Sequence, residues 1–343
     1  MTFYDRWLGI WDDVERERAA ARQVIHAEEL EWVETVQDAK AALGVARETG
    51  FRTWGSETMF GEIPVGWHTG EHSHGEESMY ILDGEGFSVV DGRAYRWQQG
   101  STLAIPFGAR HQHFNTGSVP ARYLSALTVA LEEFVGLHRT RQYESCGKTT
   151  RLPDATTQAD GRDPSGRRIV LPFEEAEIVG ADSPDAVEVD TDSGPMVLGT
   201  TEAMQKYQPV HHLRTHNFMS IVREGFNDFQ IGENEISSQL VDAPRSHGGR
   251  HAHMEAILYV ISGEGYTEMD GENVPWRAGS TYHISGPQVP HQHFNTGREP
   301  STLLRIAGGI RYFFERVAKE EYPYLYFAPR GLLPDEGEES AGG

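Results

Sequence analysis

His111-Gln-His-Phe-Asn-Thr-Gly117 and His291-Gln-His-Phe-Asn-Thr-Gly297 are the same seven residues, spelled twice in one chain of 343. The repetition extends outward from them. His72-Ser-His74 recurs as His251-Ala-His253, Gly84-Glu-Gly86 as Gly263-Glu-Gly265, and Gly100-Ser-Thr102 as Gly279-Ser-Thr281, each 179 residues later, while the heptads follow at 180. Four blocks in one order at so steady a spacing imply two copies of one domain, with one extra residue between Thr281 and His291.

Within a copy the pattern is that of short strands. Ser78-Met-Tyr-Ile-Leu82 and Ile257-Leu-Tyr-Val-Ile261 are apolar runs rich in β-formers, each closed by a glycine turn, and Phe87-Ser-Val-Val-Asp-Gly92 resumes as a hairpin would. Many short strands point to a sandwich or barrel, and the fold class expected is mainly β. Helical spacing is confined to the edges: Asp5 to Val24, with Trp7, Ile10, Trp11 and Val14 on one face, then Leu131 to Leu137 and Tyr312 to Val317. The expected organisation is an N-terminal helical extension (1–44), a first barrel (45–147), a linker rich in Asp, Gly, Pro, Ser and Thr (148–199) with one strand near Arg168 to Leu171, a second barrel (200–330) and an acidic tail (331–343).

A formal charge of −22 repels phosphate backbones and anionic lipid, so nucleic acid and membrane are excluded as expected partners in favour of a small molecule or another subunit. No apolar run approaches the roughly 18 residues of a membrane helix. The single Cys146 forms no internal disulfide, and the N-terminus carries acidic residues where a signal peptide needs an apolar core. These features predict a cytoplasmic protein, and the apolar face of the N-terminal helix predicts a homo-oligomer.

Of sixteen histidines, eight fall in four His-x-His pairs: His72/His74, His111/His113, His251/His253 and His291/His293. Residues i and i+2 of a strand share a face, so each pair aims two imidazoles one way, and imidazole is the commonest side-chain metal ligand. These spacings resemble the cupin superfamily. The first copy supplies Gly66, His72, His74, Glu77 and Gly84 of its first motif and Gly100, Pro106, Gly108, His111 and Asn115 of its second, with Glu77 arriving one or two residues early. The second copy supplies His251, His253, Gly263, Gly279, His291 and Asn295, and has Gly286-Pro-Gln-Val-Pro290 in place of the Pro-x-Gly turn. The resemblance spans roughly residues 45–135 and 215–310 and implies two tandem cupin (double-stranded β-helix, jelly-roll) barrels with peripheral helices.

The resemblance further implies that His72, His74, His111 and Glu77 hold a metal in the first barrel and His251, His253 and His291 one in the second. Glu77 stands seven residues before Gly84, whereas Glu255 stands eight before Gly263. Strand alternation turns that single step into opposite faces, so Ala256 occupies the place of Glu77 and Glu255 that of Glu76, unless a local bulge turns Glu255 inward. His113 and His293, two residues beyond a ligand on the same face, are candidates for substrate contact or catalysis; the alternative is a histidine satisfied by local hydrogen bonds. Asn115 and Asn295 suit a structural turn.

A neutral shell of three histidines leaves positions on a six-coordinate ion for a chelating substrate and O2. This is similar to gentisate-type ring-cleaving dioxygenases, although the second motif here differs from theirs, and it implies Fe(II), with Mn(II) the alternative. The expected function is an Fe(II)-dependent bicupin dioxygenase acting with O2 on a small hydroxylated aromatic acid, with Arg250 and Arg305, and less directly Arg122, as cations for its carboxylate. Three histidines plus Glu77 would instead suit an oxidase or decarboxylase of a small acid. An isomerase, or a non-catalytic metal-stabilised binding protein, completes the alternatives.

Overall fold

Alternation of apolar and polar residues around the Gly-Glu-Gly turns folds as expected, into strands of two successive barrels. The computed structural model describes residues 1–171, the strand segments 177–179, 187–191, 194–198, 209–211, 216–220 and 234–242, then 244–286, 289–308, 325–328 and 331–334. The expected helix at Tyr312 to Val317 lies outside the described residues. In the first barrel the principal strands are β1 (Glu57–Ile63), β2 (Glu71–Ser73), β3 (Glu77–Asp83), β4 (Glu85–Val90), β5 (Arg93–Gln98), β6 (Thr102–Ile105), β7 (His111–Asn115) and β8 (Ala121–Leu127). In the second they are β9 (Asn234–Asp242), β10 (Arg250–Ala252), β11 (Ala256–Ser262), β12 (Glu264–Met269), β13 (Glu272–Arg277), β14 (Thr281–Ile284), β15 (His291–Asn295) and β16 (Ser301–Gly308).

Each barrel closes two sheets on one another. In the first, β6, β3, β8 and β1 lie side by side in that order, opposite β2, β7, β4 and β5. The second repeats this with β14, β11, β16 and β9 opposite β10, β15, β12 and β13. The β4–β5 and β12–β13 hairpins turn on Asp91-Gly92 and Asp270-Gly271, all four with φ between 47° and 85°, the left-handed pair that a two-residue hairpin turn requires. Gly86 and Gly265 of the Gly-Glu-Gly blocks have a different reason to be glycine: a Cβ there would run into the carbonyl of Phe114 or Phe294 and the ring of Trp97 or Trp276.

The segments outside the barrels are stitched to their edges. Val24–Ile25 pairs with β14, the same edge position that Val170–Leu171 takes on β6, so the strand expected near Arg168 to Leu171 serves as an edge of the first barrel. Lys40–Leu43 extends the sheet beside β1. The sheets β3/β8/β1 and β11/β16/β9 face each other, and their outer residues (Phe60, Tyr80, Leu124 and Ala126 against Ile257, Leu304 and Ile306) form one core between the barrels. Each fully buried Leu or Ile there contributes about 1.5–3 kcal/mol. Tyr80 and Tyr259 belong to this core.

One expected element is corrected. The N-terminal periodicity is broken at Gly9 into α1 (Phe3–Leu8), with a Thr2–Asp5 capping box, and α2 (Ile10–Ala20). Neither buries a residue, and Trp7, Ile10 and Trp11 stay 54%, 50% and 47% exposed. A third helix, α3 (Val129–Val135), follows β8 and ends on Gly136 in the left-handed region. Among the described residues no helix is long and apolar enough to cross a membrane.

Candidate metal centres

In the first barrel, antiparallel pairing of β7 with β2 sets His111 directly beside His72, their rings 4.1 Å apart. His74, just past the end of β2, closes the triangle at 5.0 Å from His72 and 4.8 Å from His111. Each ring is held from behind by a carbonyl: Nδ1 of His72, His74 and His111 meets the oxygen of Gly70, Gly75 and Ala109 at 3.0, 3.0 and 2.9 Å. A carbonyl only accepts, so all three Nδ1 atoms carry the proton and all three Nε2 lone pairs turn inward. The Nε2 atoms of His72 and His111 are buried and make no hydrogen bond.

Glu77, the first residue of β3 and 3% exposed, brings Oε2 to 3.4 Å from His74 Nε2 and 3.6 Å from His111 Nε2. Its other oxygen accepts from the hydroxyl of Ser125. Lone pairs and a carboxylate converging in a buried space repel one another unless a cation lies among them, and the donor set of three neutral imidazoles and one carboxylate fits a divalent ion. Without an ion a proton serves. Burial pushes His74 down, but the Glu77 carboxylate outweighs it and leaves His74 above its ordinary pKa. For Glu77, burial is outweighed by the pull of the neighbouring imidazoles His111 and His74, which holds the carboxyl well below the usual range. Burial and the neighbouring imidazoles His111 and His74 push His72 down to about 2. A cavity of about 120 Å³ opens onto His74 and Glu77 beneath α3, bordered by Met59, Glu132 and His138. Gly75 makes room for the buried Glu132 carboxylate, which would collide with a Cβ.

The second barrel repeats the arrangement with altered electrostatics. His251 pairs with His291 across β10 and β15 at 4.2 Å, and His253 lies 5.1 and 4.7 Å from them. Nδ1 of His251 and His291 is fixed on the carbonyls of Gly249 and Val289 at 2.8 and 2.7 Å, and that of His253 on Met254. Ala256 takes the register position of Glu77: it pairs with Ile284 as Glu77 pairs with Ile105. Glu255 turns the other way, as strand alternation predicts. Fully buried, it accepts the Trp54 backbone N–H at 2.8 Å and meets His283 Nε2 at 2.7 Å, tying the 51–56 loop to the second barrel.

His113 and His293 stand behind the triads in matching settings. Trp97 Nε1 donates to Ser88 Oγ at 2.9 Å, and Ser88 Oγ lies 2.6 Å from His113 Nδ1. In the second barrel Trp276 donates to Thr267 at 3.1 Å, and Thr267 lies 2.9 Å from His293 Nδ1. Each buried hydroxyl accepts from the indole and keeps one proton of its own, for which the imidazole Nδ1 is the acceptor at hand; Tyr282 Oη also lies 3.1 Å from that nitrogen of His293. Nδ1 is thus the acceptor and Nε2 carries the hydrogen. Nitrogen distances group His293 with His251 and His291, and His113 with His111 and Glu77, within 4.8 Å. A protonated Nε2 has no lone pair for an ion, so His253 and His74 are the better third partners, and His113 and His293 turn an Nε2–H toward the centres. Burial, then repulsion from His111, pushes His113 down to about 3.

Other candidates are placed elsewhere. Arg250 points away from His251 and pairs with Glu268 at 3.1 Å on a partly exposed face; Arg122 pairs with Glu62 at 2.9 Å. Arg305, by contrast, lies on β16 opposite Leu258 and shares with Leu303 the face turned to the interior of the second barrel. Phe114 and Phe294 stack on Phe87 and Tyr266. Asn115 and Asn295 bind their own turns, each accepting from the N–H of the following glycine, Gly117 or Gly297. The sequence reading missed the Trp–hydroxyl–His relays, though Trp97 and Trp276 share the 179-residue offset, and the buried Asp38, whose Oδ1 accepts from Tyr123 at 2.5 Å.

Comparison with known proteins gives the class. The Cupin domain matches twice, at residues 59–127 and 240–307, one match in each barrel. The chain thus carries two cupin domains. It is 32% identical over 68 residues to a 5-aminosalicylate 1,2-dioxygenase of Comamonas sp, a match covering 20% of this chain and only 18% of that protein. Its fold is similar to salicylate 1,2-dioxygenase from Pseudaminobacter salicylatoxidans (TM-score 0.51, 12% identity, 82% of this chain and 75% of that one). It is likewise similar to a Bacillus subtilis oxalate decarboxylase variant (TM-score 0.53, 13% identity, 84% and 77%). At these identities the structural likeness establishes the fold and not the chemistry.

Proposed function

We propose that the protein is an Fe(II)-dependent bicupin dioxygenase that oxidises or cleaves a small hydroxylated aromatic substrate, with the second barrel as the reacting site. The observation that carries this reading is the convergence of His251, His253 and His291, each with Nδ1 committed to a carbonyl, at a place where Ala256 supplies no carboxylate. His251, His253 and His291 would hold the ion there, and His72, His74, His111 and Glu77 a second one in the first barrel. Iron, when bound, supplies the one-electron chemistry by which O2 reacts with a closed-shell aromatic. The chain contributes position and protons. His293 Nε2–H, fixed by Thr267 and Trp276, is placed to donate to an oxyanion of the substrate without itself changing charge, and His113 has the same capacity in the first barrel. Dioxygenases named for salicylates among the relatives support this substrate class.

A second reading rests on the first barrel: three histidines with Glu77 in reach and a cavity of only about 120 Å³ suit Mn(II) or Fe(II) and a small acid, as in an oxidase or decarboxylase. The discriminating experiment is an aerobic screen of iron-loaded protein against salicylates, gentisate, catechols and oxalate, following O2 uptake and ultraviolet change. Turnover of any of these without O2 consumption removes the dioxygenase reading, and no turnover at all favours an isomerase or a binding protein. The half-exposed apolar residues Trp7, Ile10 and Trp11 of α1 and α2 further support a homo-oligomer, which light scattering tests directly.

A further inference from the structure

Six buried side-chain atoms outside both metal centres have no hydrogen-bond partner, and all six stand where the 51–56 loop meets the second barrel: Thr53 Oγ1, Trp54 Nε1, Ser56 Oγ, Glu255 Oε2, Thr281 Oγ1 and His283 Nδ1. Two contacts hold the group together. Glu255 Oε1 accepts the Trp54 backbone N–H at 2.8 Å and meets His283 Nε2 at 2.7 Å. Thr53 and Ser56 flank Trp54 in the loop, and Thr281 shares with His283 the outer face of β14, since Tyr282 and Ile284 fill the interior of the second barrel. Thr53, Ser56, Glu255, Thr281 and His283 are each no more than 4% exposed. An atom orphaned in this way loses the hydrogen bond it made to water, and six in one place would cost a domain much of its stability unless something binds them. The fold itself does not require the group. At the 179-residue offset Ala104 takes the place of His283, and its backbone N–H donates to Ile169 as that of His283 does to Gln23, at 2.9 Å in both.

We infer that this joint is a binding site for a monovalent metal cation, held by Glu255 Oε2 and the hydroxyl oxygens of Thr53, Ser56 and Thr281. Four of the six atoms are oxygens, the donors that a hard cation takes, and one of them belongs to a carboxylate. His283 offers its Nε2–H to Glu255, which leaves Nδ1 a lone pair and the imidazole neutral. One carboxylate then balances one positive charge, so a monovalent ion leaves the buried space neutral where a divalent ion would leave it charged. A water on the ion can serve both nitrogens, accepting from the Trp54 indole and donating to His283 Nδ1. The ion would pin the 51–56 loop, and with it the start of β1, to the second barrel. The site is independent of the two histidine centres and of the reaction proposed for them.

The test melts the full-length protein at one ionic strength in choline chloride, sodium chloride and potassium chloride. An ion bound by the folded state alone raises the melting temperature as its concentration rises. The expected result is a melting temperature roughly 5–10 °C higher in sodium or potassium than in choline, for an ion at about a hundred times its dissociation constant. Glu255→Gln should remove that difference. Thr281→Val should shrink it and should lower stability only where the metal cation is present, because a hydroxyl that binds nothing is replaced by a methyl group without loss. Equal melting in all three salts, the outcome for a joint filled by water, overturns the inference. So does a sodium or potassium effect that Glu255→Gln retains, which would place the ion elsewhere. Should Glu255→Gln fail to fold, Thr281→Val decides, and a cation effect there equal to that of wild type overturns the inference.

Discussion

Glu255→Ala should destabilise the protein severely while leaving its metal content intact. Glu255 and His283 are fully buried, 2.7 Å apart, and the same carboxylate oxygen accepts the Trp54 N–H at 2.8 Å. Truncation leaves a buried imidazole and a backbone N–H without their acceptor. Each buried donor left without its acceptor costs about 1–3 kcal/mol, and the two together about 2–6 kcal/mol. At about 2–4 °C per kcal/mol for a domain of this size, the melting temperature should fall by roughly 10 °C. Glu255→Gln, which keeps an oxygen for the Trp54 N–H, should recover part of that loss, and Glu255→Ala with His283→Ala should cost less than the sum of the singles. Calorimetric melting of these variants, paired with metal analysis, is the assay. A variant that melts as wild type does, or one that loses metal from the second barrel in the folded state, refutes the assignment of Glu255 to the joint between barrels.

His72→Ala and His251→Ala should each lower the metal content by one ion per chain without affecting the other barrel, as elemental analysis after anaerobic loading would show. Thr267→Val removes the hydroxyl between Trp276 and His293; turnover should fall about 10- to 100-fold, the usual cost of an outer-shell contact, with metal retained. Asp38 is pushed up to about 7 by burial, against about 3.9 in an unfolded chain, so the native state holds its proton more tightly. Its contribution to stability is full below about pH 4 and is lost as pH rises to 7, at up to about 1.4 kcal/mol per pH unit. Denaturant titrations should therefore show wild type losing stability relative to Asp38→Asn across that window, and a pH-independent difference would contradict the assignment.

The internal repeat carries most of the fold because the histidine pairs and glycine turns are pinned by the strands on which they lie. The parity argument separating Glu77 from Glu255 also holds, since a buried strand tolerates no one-residue slip; the bulge that would have turned Glu255 inward is absent where β11 pairs with β14. What short-range pattern leaves out is what distant segments deliver. Trp54 reaches Glu255, and Tyr123 reaches Asp38, across long sequence separations that no periodicity encodes. The N-terminal helix is split because apolar spacing continues through Gly9 while its backbone does not. Arg250, attractive beside His251, faces outward for the same reason that His251 faces inward.

The most direct test of the account is O2 uptake by iron-loaded wild type, His111→Ala and His291→Ala with a substrate found in the aerobic screen. The account predicts that uptake survives His111→Ala and is abolished by His291→Ala, with one ion still bound per chain in each variant. Uptake lost in His111→Ala and kept in His291→Ala would contradict it and move the chemistry to the centre that contains Glu77.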